Sequence, residues 1–107
     1  MATPTEVIWT AQAEDALDRV HHSIAAKAPT TADRYCDALF ASTRALARHP
    51  GRGHPLHEAK LPPDENPYRE IHFKRHRIIY SIIAHRVFIL TVIHHLQLID
   101  LNDLRKT

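Results

Sequence analysis

The sequence predicts an α+β fold: an N-terminal strand, an antiparallel helical hairpin packed on a mainly antiparallel four-stranded sheet, and a short C-terminal helix. Two observations carry the prediction. Between residues 10 and 49, apolar residues recur at helical spacing in two successive segments. Residues 68–95 contain three runs rich in Ile, Val, Phe and Tyr, separated by short turns. With 107 residues, the chain is expected to form a single domain, residues 1–107.

A strand and two helices are predicted in the first half of the chain. Residues 5–10 alternate like a strand, and Thr10 stands where a helix N-cap is expected. Pro29 is expected to end the first helix. Thr30, with Asp33 three residues later, resembles a capping box that begins the second helix. Because the connection is so short, the two helices should form an antiparallel hairpin.

A loop, three strands and a closing helix are predicted in the second half. His49-Pro50-Gly51 is expected to stop the second helix. Residues 50–67 hold five of the seven prolines and both glycines, which indicates a loop. Short turns within residues 68–95 make an antiparallel meander. The leucine spacing of residues 97–105 favours a short helix, which would cover the open sheet face unless a partner does.

The charge of the chain is nearly balanced overall but locally basic. A net charge of +2 argues against a constitutive nucleic-acid coat protein. Within residues 69–77, however, four cations stand against Glu70 alone: Arg69, Lys74, Arg75 and Arg77. Such a patch attracts anionic partners even on a nearly neutral protein.

The single cysteine and the absence of targeting signals indicate the compartment. Cys36 has no cysteine to pair with, so neither an internal disulfide nor a thiolate metal cage is possible, and it falls on an apolar helix face. The N-terminus lacks a secretory signal, and the apolar runs are too short to span a membrane. We therefore expect a cytoplasmic protein with no membrane partner.

Ten histidines raise the question of a metal site. His54 and His57 lie three residues apart in the proline-rich loop, while His21 and His22 face different directions on a helix. No acidic or cysteine residue stands at ligand spacing from either pair, and a site needs about three convergent ligands. These histidines are interpreted as surface residues, and no metal or cofactor is expected.

Five short motifs carry a resemblance that spans nearly the whole chain. They are Trp9-Thr10-x-x-Ala13 followed by Ala16-Leu17, Leu46-x-x-x-Pro50-x-x-Gly53, Tyr68-Arg69, Arg77-Ile78-Ile79-Tyr80-Ser81-Ile82, and Val87-x-Ile89-Leu90-x-Val92-x-His94. In this order and spacing they resemble the toxins of the RelE/ParE superfamily from bacterial type II toxin–antitoxin pairs. The resemblance implies this same fold and a cytoplasmic toxin neutralised by a cognate antitoxin.

The resemblance implies two possible activities. RelE-like members cut messenger RNA in the ribosomal A site, whereas ParE-like members inhibit DNA gyrase. The long helical hairpin resembles the ParE branch, so a ParE-like gyrase inhibitor is the first hypothesis and a RelE-like nuclease the second. A third is a family member that binds its antitoxin but is no longer toxic, because Leu96 stands where ParE-like relatives often have arginine.

The resemblance also identifies a candidate catalytic set. Metal-free RNA cleavage needs a proton acceptor, a proton donor and cations for the phosphorane charge. Arg69 and Arg77 match positions that bind phosphate in RelE-like enzymes, and His94 or His95 would transfer the proton. Arg77 is equally typical of the ParE branch, and Arg69 is also suited to pairing with Glu70 or with an acidic antitoxin residue.

The same region is the predicted binding surface for an antitoxin or a target. Amphipathic antitoxin segments are expected to fold onto apolar grooves rimmed by charge. The residues assigned to this surface are Arg69, Lys74, Arg75, Arg77, Leu98 and Leu101.

Overall fold

The computed structural model describes residues 5–104 and confirms the α+β fold. The strands are β1 Glu6–Trp9, β2 His54–Pro55, β3 Tyr68–Phe73, β4 His76–Ile83 and β5 Arg86–His94. The helices are α1 Ala11–Ala25, α2 Pro29–Ser42 and α3 Leu101–Leu104. The described strands form one sheet in the order β1-β5-β4-β3-β2. It has one strand more than predicted, because the proline-rich loop contributes the two-residue strand β2.

The sheet is antiparallel except between β1 and β5, the first and last of the described strands. β3, β4 and β5 form the predicted meander, and β1 lies parallel to β5 with Val7 opposite Val87. The parallel pair is possible because α1 and α2 separate β1 from the meander. Among the described residues, no helix is both long and apolar enough to cross a membrane.

Thr10 caps α1, as predicted. Its Oγ1 accepts a hydrogen bond from the Ala13 amide at 3.1 Å, which satisfies one of the unpaired amides of the first turn. The same hydroxyl donates to the Ile89 carbonyl at 2.8 Å. One side chain therefore sets the start of α1 and ties it to β5.

The predicted capping box of α2 is wrong. The helix begins at Pro29, and its N-cap is Ala28, which makes no side-chain capping bond. Proline suits the first helical position because its φ is already helical and it has no amide hydrogen to leave unpaired. Asp33 instead accepts a 2.7 Å contact from His21 Nε2, which links α2 to α1.

The second helix ends before the predicted stop at His49. Regular α-helix ends at Ser42, and a 3₁₀ turn over Thr43–Ala47 continues the chain. The Thr43 hydroxyl donates to the Phe40 carbonyl at 2.7 Å, a local bond that competes with helix geometry. Thr43 also accepts a hydrogen bond from Trp9 Nε1, so this irregular turn is anchored to β1.

Apolar clusters cover both faces of the sheet. The helix-side cluster is formed by Ala13, Ala16, Leu39, Leu46, Ile78, Tyr80, Val87, Ile89 and Val92. The cluster on the opposite face is formed by Leu56, Ile79, Leu90 and Leu104. The proline-rich loop and the C-terminal segment, which includes α3, therefore cover this face, for which the sequence predicted either the tail helix or a partner.

Candidate functional site

Arg77 lies buried on the sheet face opposite the helical hairpin, with all five of its N–H groups engaged. Nη1 and Nη2 donate to the Glu58 carboxylate at 2.8 and 2.7 Å. Nε and Nη2 donate to the Glu70 carboxylate at 3.1 and 2.6 Å. The remaining Nη1 donor reaches the Gln97 carbonyl at 2.8 Å. Because a guanidinium has five donors, this one has none left for another anion.

The charges of this Arg77 cluster (Arg77, Glu58 and Glu70) stabilise one another. The hydrogen bonds from Arg77 lower the pKa of Glu58, although burial opposes this effect. Burial raises the pKa of Glu70, but the hydrogen bonds from Arg77 and His72 outweigh it and the pKa is lowered on balance. Bonds to both carboxylates raise the pKa of Arg77. The cluster is therefore fully ionised near neutral pH and carries one net negative charge.

The Arg77 cluster joins three separate parts of the chain. Glu58 comes from a 3₁₀ turn, His57–Ala59, within the proline-rich loop. Its Oε2 also accepts the Ile99 amide at 3.2 Å, beside the Gln97 carbonyl that Arg77 binds. The cluster thus holds the loop and the C-terminal segment against the sheet, which is a structural role for Arg77.

Arg69 is also engaged by backbone of the same loop. Its Nη2 donates to the carbonyls of Gly51, at 3.1 Å, and Gly53. The pairing of Arg69 with Glu70 that the sequence allowed does not form, since Glu70 bonds to Arg77. Tyr80, the cross-strand neighbour of Arg69, is fully buried and donates to the Pro50 carbonyl, so it belongs to the core.

The sheet register separates the candidate catalytic residues. His94 pairs with His76 across β4 and β5, while Arg77 pairs with Ile93. Because side chains alternate along a strand, His94 and Arg77 point to opposite faces. Their contacts agree: His76 bonds to Tyr35 of α2, whereas Arg77 bonds to Glu58. The structure therefore does not bring Arg77 and His94 into one site.

Three histidines lie together where β4 begins and β5 ends. This imidazole cluster consists of His76, His94 and His95. The ring centroid of His94 lies 5.7 Å from that of His76 and 4.5 Å from that of His95. Tyr35 Oη lies 2.6 Å from His76 Nδ1. Burial, with the nearby His94 and His95, lowers the pKa of His76. A cavity of about 410 Å³ lies beside the cluster, and Arg75 lines it.

The remaining predicted binding residues are two cations, Lys74 and Arg75, and two leucines, Leu98 and Leu101. Lys74 and Arg75 form the β3–β4 turn, where Lys74 has φ 50° and its Nζ lies 5.5 Å from the Phe73 ring centre. Leu98 is 83% exposed, whereas Leu101 is half-buried against the opposite-face cluster. Of the predicted binding residues, Lys74, Arg75 and Leu98 are therefore the accessible ones.

Comparison with known proteins identifies the family. The family model described as the ParE toxin of the type II toxin–antitoxin system parDE matches residues 7–99. The chain belongs to the ParE toxin family. This agrees with the RelE/ParE resemblance and its ParE-like character. No curated protein sequence matches this ParE-family toxin.

Two solved structures show the same fold. A chain of the chromosomal ParDE toxin–antitoxin system from P. aeruginosa aligns with a TM-score of 0.71 at 14% identity, covering 87% of the ParE-family chain described here and 98% of its own. A chain of the RelBE2 toxin–antitoxin complex from Mycobacterium tuberculosis aligns with a TM-score of 0.58 at 22% identity, covering 91% and 98%.

A second polar group in this ParE-family toxin was missed from the sequence. His54, Glu70 and His72 converge, with His72 Nε2 2.6 Å and His54 Nε2 3.4 Å from the same Glu70 oxygen. The alternation Glu70-x-His72 was a visible signal, because residues two apart on a strand share a face. His54 gave no comparable signal, since β2 is only two residues long; it approaches Glu70 rather than His57.

Proposed function

We propose that this ParE-family toxin inhibits DNA gyrase by binding it, without cutting RNA, and that a cognate antitoxin neutralises it. The observation that carries the proposal is the saturation of Arg77 by Glu58, Glu70 and the Gln97 carbonyl. A cation that stabilises a phosphorane must have donors free to meet it. Arg77 has none, and in Arg69 Nη2 donates to two loop carbonyls while Nε is buried.

Turning Arg77 towards a phosphate would require breaking its ion pairs with Glu58 and Glu70, at a large cost in free energy. It would leave two carboxylates beside one another without their cation, and Glu70 is almost fully buried. Breaking a buried ion pair in this way costs about 3–5 kcal/mol. An inhibitor that acts through surface contacts needs no such rearrangement.

The accessible residues support antitoxin binding as part of the same proposal. Lys74 and Arg75 offer positive charge at the β3–β4 turn, and Leu98 offers exposed apolar surface next to the C-terminal helix. An antitoxin segment with acidic and apolar side chains would match both. Both structural neighbours come from toxin–antitoxin systems. With gyrase as the target, the toxin acts in the cytoplasm.

The imidazole cluster favours the second candidate, a ribosome-dependent mRNA endonuclease. His76, His94 and His95 stand together beside a cavity lined by Arg75, so groups for proton transfer and one cation are close. This arrangement would not require Arg77. It makes the histidines, rather than the buried arginine, the residues that distinguish the two functions.

The experiment measures both activities after induction of the full chain in cells. The variants are the double substitution His94→Ala/His95→Ala and, as a matched control, His22→Ala at an exposed position on α1. We expect loss of gyrase supercoiling, intact ribosome-bound mRNA, and growth arrest by all three proteins. Codon-periodic mRNA cuts that disappear only in the double variant would replace the proposal with the endonuclease. Absence of growth arrest would favour the non-toxic alternative.

A further inference from the structure

We propose that His54, Glu70 and His72 bind a divalent transition-metal ion, with Zn²⁺ the expected ion. One ligand atom from each residue lies within 4.8 Å of the other two. Two imidazole nitrogens and one carboxylate oxygen are a set that zinc uses in proteins with an open fourth position. The site lies on the sheet face opposite the imidazole cluster and is independent of the toxin's target.

The fold places the three ligands on one face by strand pairing. His54 of β2 is the cross-strand partner of Glu70 of β3, and His72 follows Glu70 by two residues. Directly opposed residues and residues two apart therefore bring all three side chains to the same face. The face is accessible, because the His54 and His72 side chains are 61% and 55% exposed.

The distances suit a small ion after modest side-chain movement. Metal–ligand bonds of about 2.0–2.2 Å place tetrahedral ligand atoms about 3.3 Å apart. The His54–Glu70 separation of 3.4 Å already has this value, and the His72–Glu70 separation of 2.6 Å must lengthen. Both imidazole side chains are more than half exposed, so a turn of the His72 ring can lengthen this contact while Glu70 stays where it is.

Glu70 is fixed in a way that is common for metal-binding carboxylates. Its side chain is 4% exposed. Oε1 accepts a hydrogen bond from Arg77 Nε at 3.1 Å, and Oε2 accepts one from Arg77 Nη2 at 2.6 Å. Hydrogen bonds from behind orient a ligand before the ion arrives. Glu58 compensates the charge of Arg77, so the surroundings of Glu70 keep one net negative charge.

Metal binding displaces the hydrogen from His72 Nε2. At 2.6 Å, His72 Nε2 and Glu70 Oε1 share a hydrogen bond. A metal needs the Nε2 lone pair, so the proton on this nitrogen moves to Nδ1 or leaves to solvent. The metal then bridges the two atoms that the proton joined, and His54 Nε2 supplies the third bond.

The test is a titration of the untagged full chain with Zn²⁺ by isothermal calorimetry, with Co²⁺ absorption to report coordination. The variants are His54→Gln, His72→Gln and the two together; His57→Gln in the same loop is the matched control. Glu70 is left unchanged because it holds Arg77, and circular dichroism confirms that each variant is folded.

We expect one Zn²⁺ per chain in the unchanged protein. Each single substitution should weaken binding at least tenfold, the double substitution should abolish it, and His57→Gln should stay within twofold. Failure of the unchanged protein to bind Zn²⁺ would overturn the proposal. Binding that survives the double substitution would also overturn it, and its loss in His94→Gln/His95→Gln would assign the ion to the imidazole cluster.

Discussion

Arg77 forms ion pairs with two carboxylates, Glu58 and Glu70, and is the one guanidinium that contacts either of them in the described part of the chain. Replacing Arg77 with alanine should therefore destabilise the protein by about 3–5 kcal/mol, because Glu58 and Glu70 lose their partner in a buried setting. Urea unfolding measures this change. Arg75→Ala, at an exposed turn position, is the control and should stay within about 0.5 kcal/mol.

An equal, small effect of the two substitutions would contradict the structural role of Arg77. The prediction also affects functional assays. A loss of toxicity in Arg77→Ala would follow from unfolding alone, so it is not a test of catalysis.

The same cluster predicts a specific sensitivity to acid. Glu58 and Glu70 have a folded-state pKa below their ordinary value of 4.5, so the unfolded chain binds more protons as the pH falls through that range. The stability that they contribute is present above pH 4.5 and is lost below it, as the pH approaches their depressed folded-state pKa. We expect urea midpoints to fall over this window.

Glu58→Gln should flatten that pH dependence, since one of the two responsible groups no longer ionises. Glu14→Gln, at an exposed position on α1, is the control. Its stability should depend on pH with the same slope as that of the unchanged protein. If both variants keep the same slope, the acid sensitivity arises elsewhere in the molecule.

At the scale of the element, the turn between α2 and β2 depends on one of the two glycines. A Cβ on Gly53 would collide with the Glu70 carbonyl oxygen and lie 2.7 Å from Tyr80 Oη, whereas a Cβ on Gly51 meets nothing within 4 Å. Gly53→Ala should therefore cost about 1–3 kcal/mol in urea unfolding. Gly51→Ala, two residues away, should be close to neutral, and a reversed order would show that the loop packs differently.

The start of α1 gives a second prediction at this scale. Thr10→Ala removes both the cap on the Ala13 amide and the bond to the Ile89 carbonyl, and should cost about 1–2 kcal/mol. Thr10→Ser keeps the hydroxyl and should retain most of that stability. Thermal unfolding of the unchanged protein and the two variants measures these differences. A serine variant as unstable as the alanine variant would show that the methyl group of Thr10, not its hydroxyl, stabilises the protein.

Sequence patterns predicted elements that have their own periodicity and missed those that depend on distant contacts. The helical hairpin and the meander follow from local spacing. β2 and the Glu58 turn do not, because their sequence has no periodicity and their geometry is set by β3 and by Arg77, 19 residues after Glu58. The contacts of Arg77 with Glu58 and Gln97 were missed for the same reason, because local spacing does not reveal partners about 20 residues away.

At the scale of the molecule, one ion-pair cluster holds the C-terminal segment in place. Glu58 accepts the Ile99 amide, and Arg77 binds the Gln97 carbonyl. Glu58→Ala should therefore release this segment, and the Ile99 amide should lose at least tenfold in hydrogen-exchange protection. Amides in the centre of β4 should lose less. Glu65→Ala, exposed in the same loop, is the control, and equal protection in both variants would contradict the prediction.

The parallel pairing of β1 with β5 has a consequence for how the toxin is made. β1 is synthesised long before its partner strand, because Val87 follows Val7 by 80 positions. The hairpin of α1 and α2 can form early from local contacts, but the sheet closes only after β5 has been synthesised, and such long-range closure is slow. The nascent chain therefore lacks its complete sheet until β5 has been synthesised, so a product truncated before Arg86 would lack the folded toxin surface.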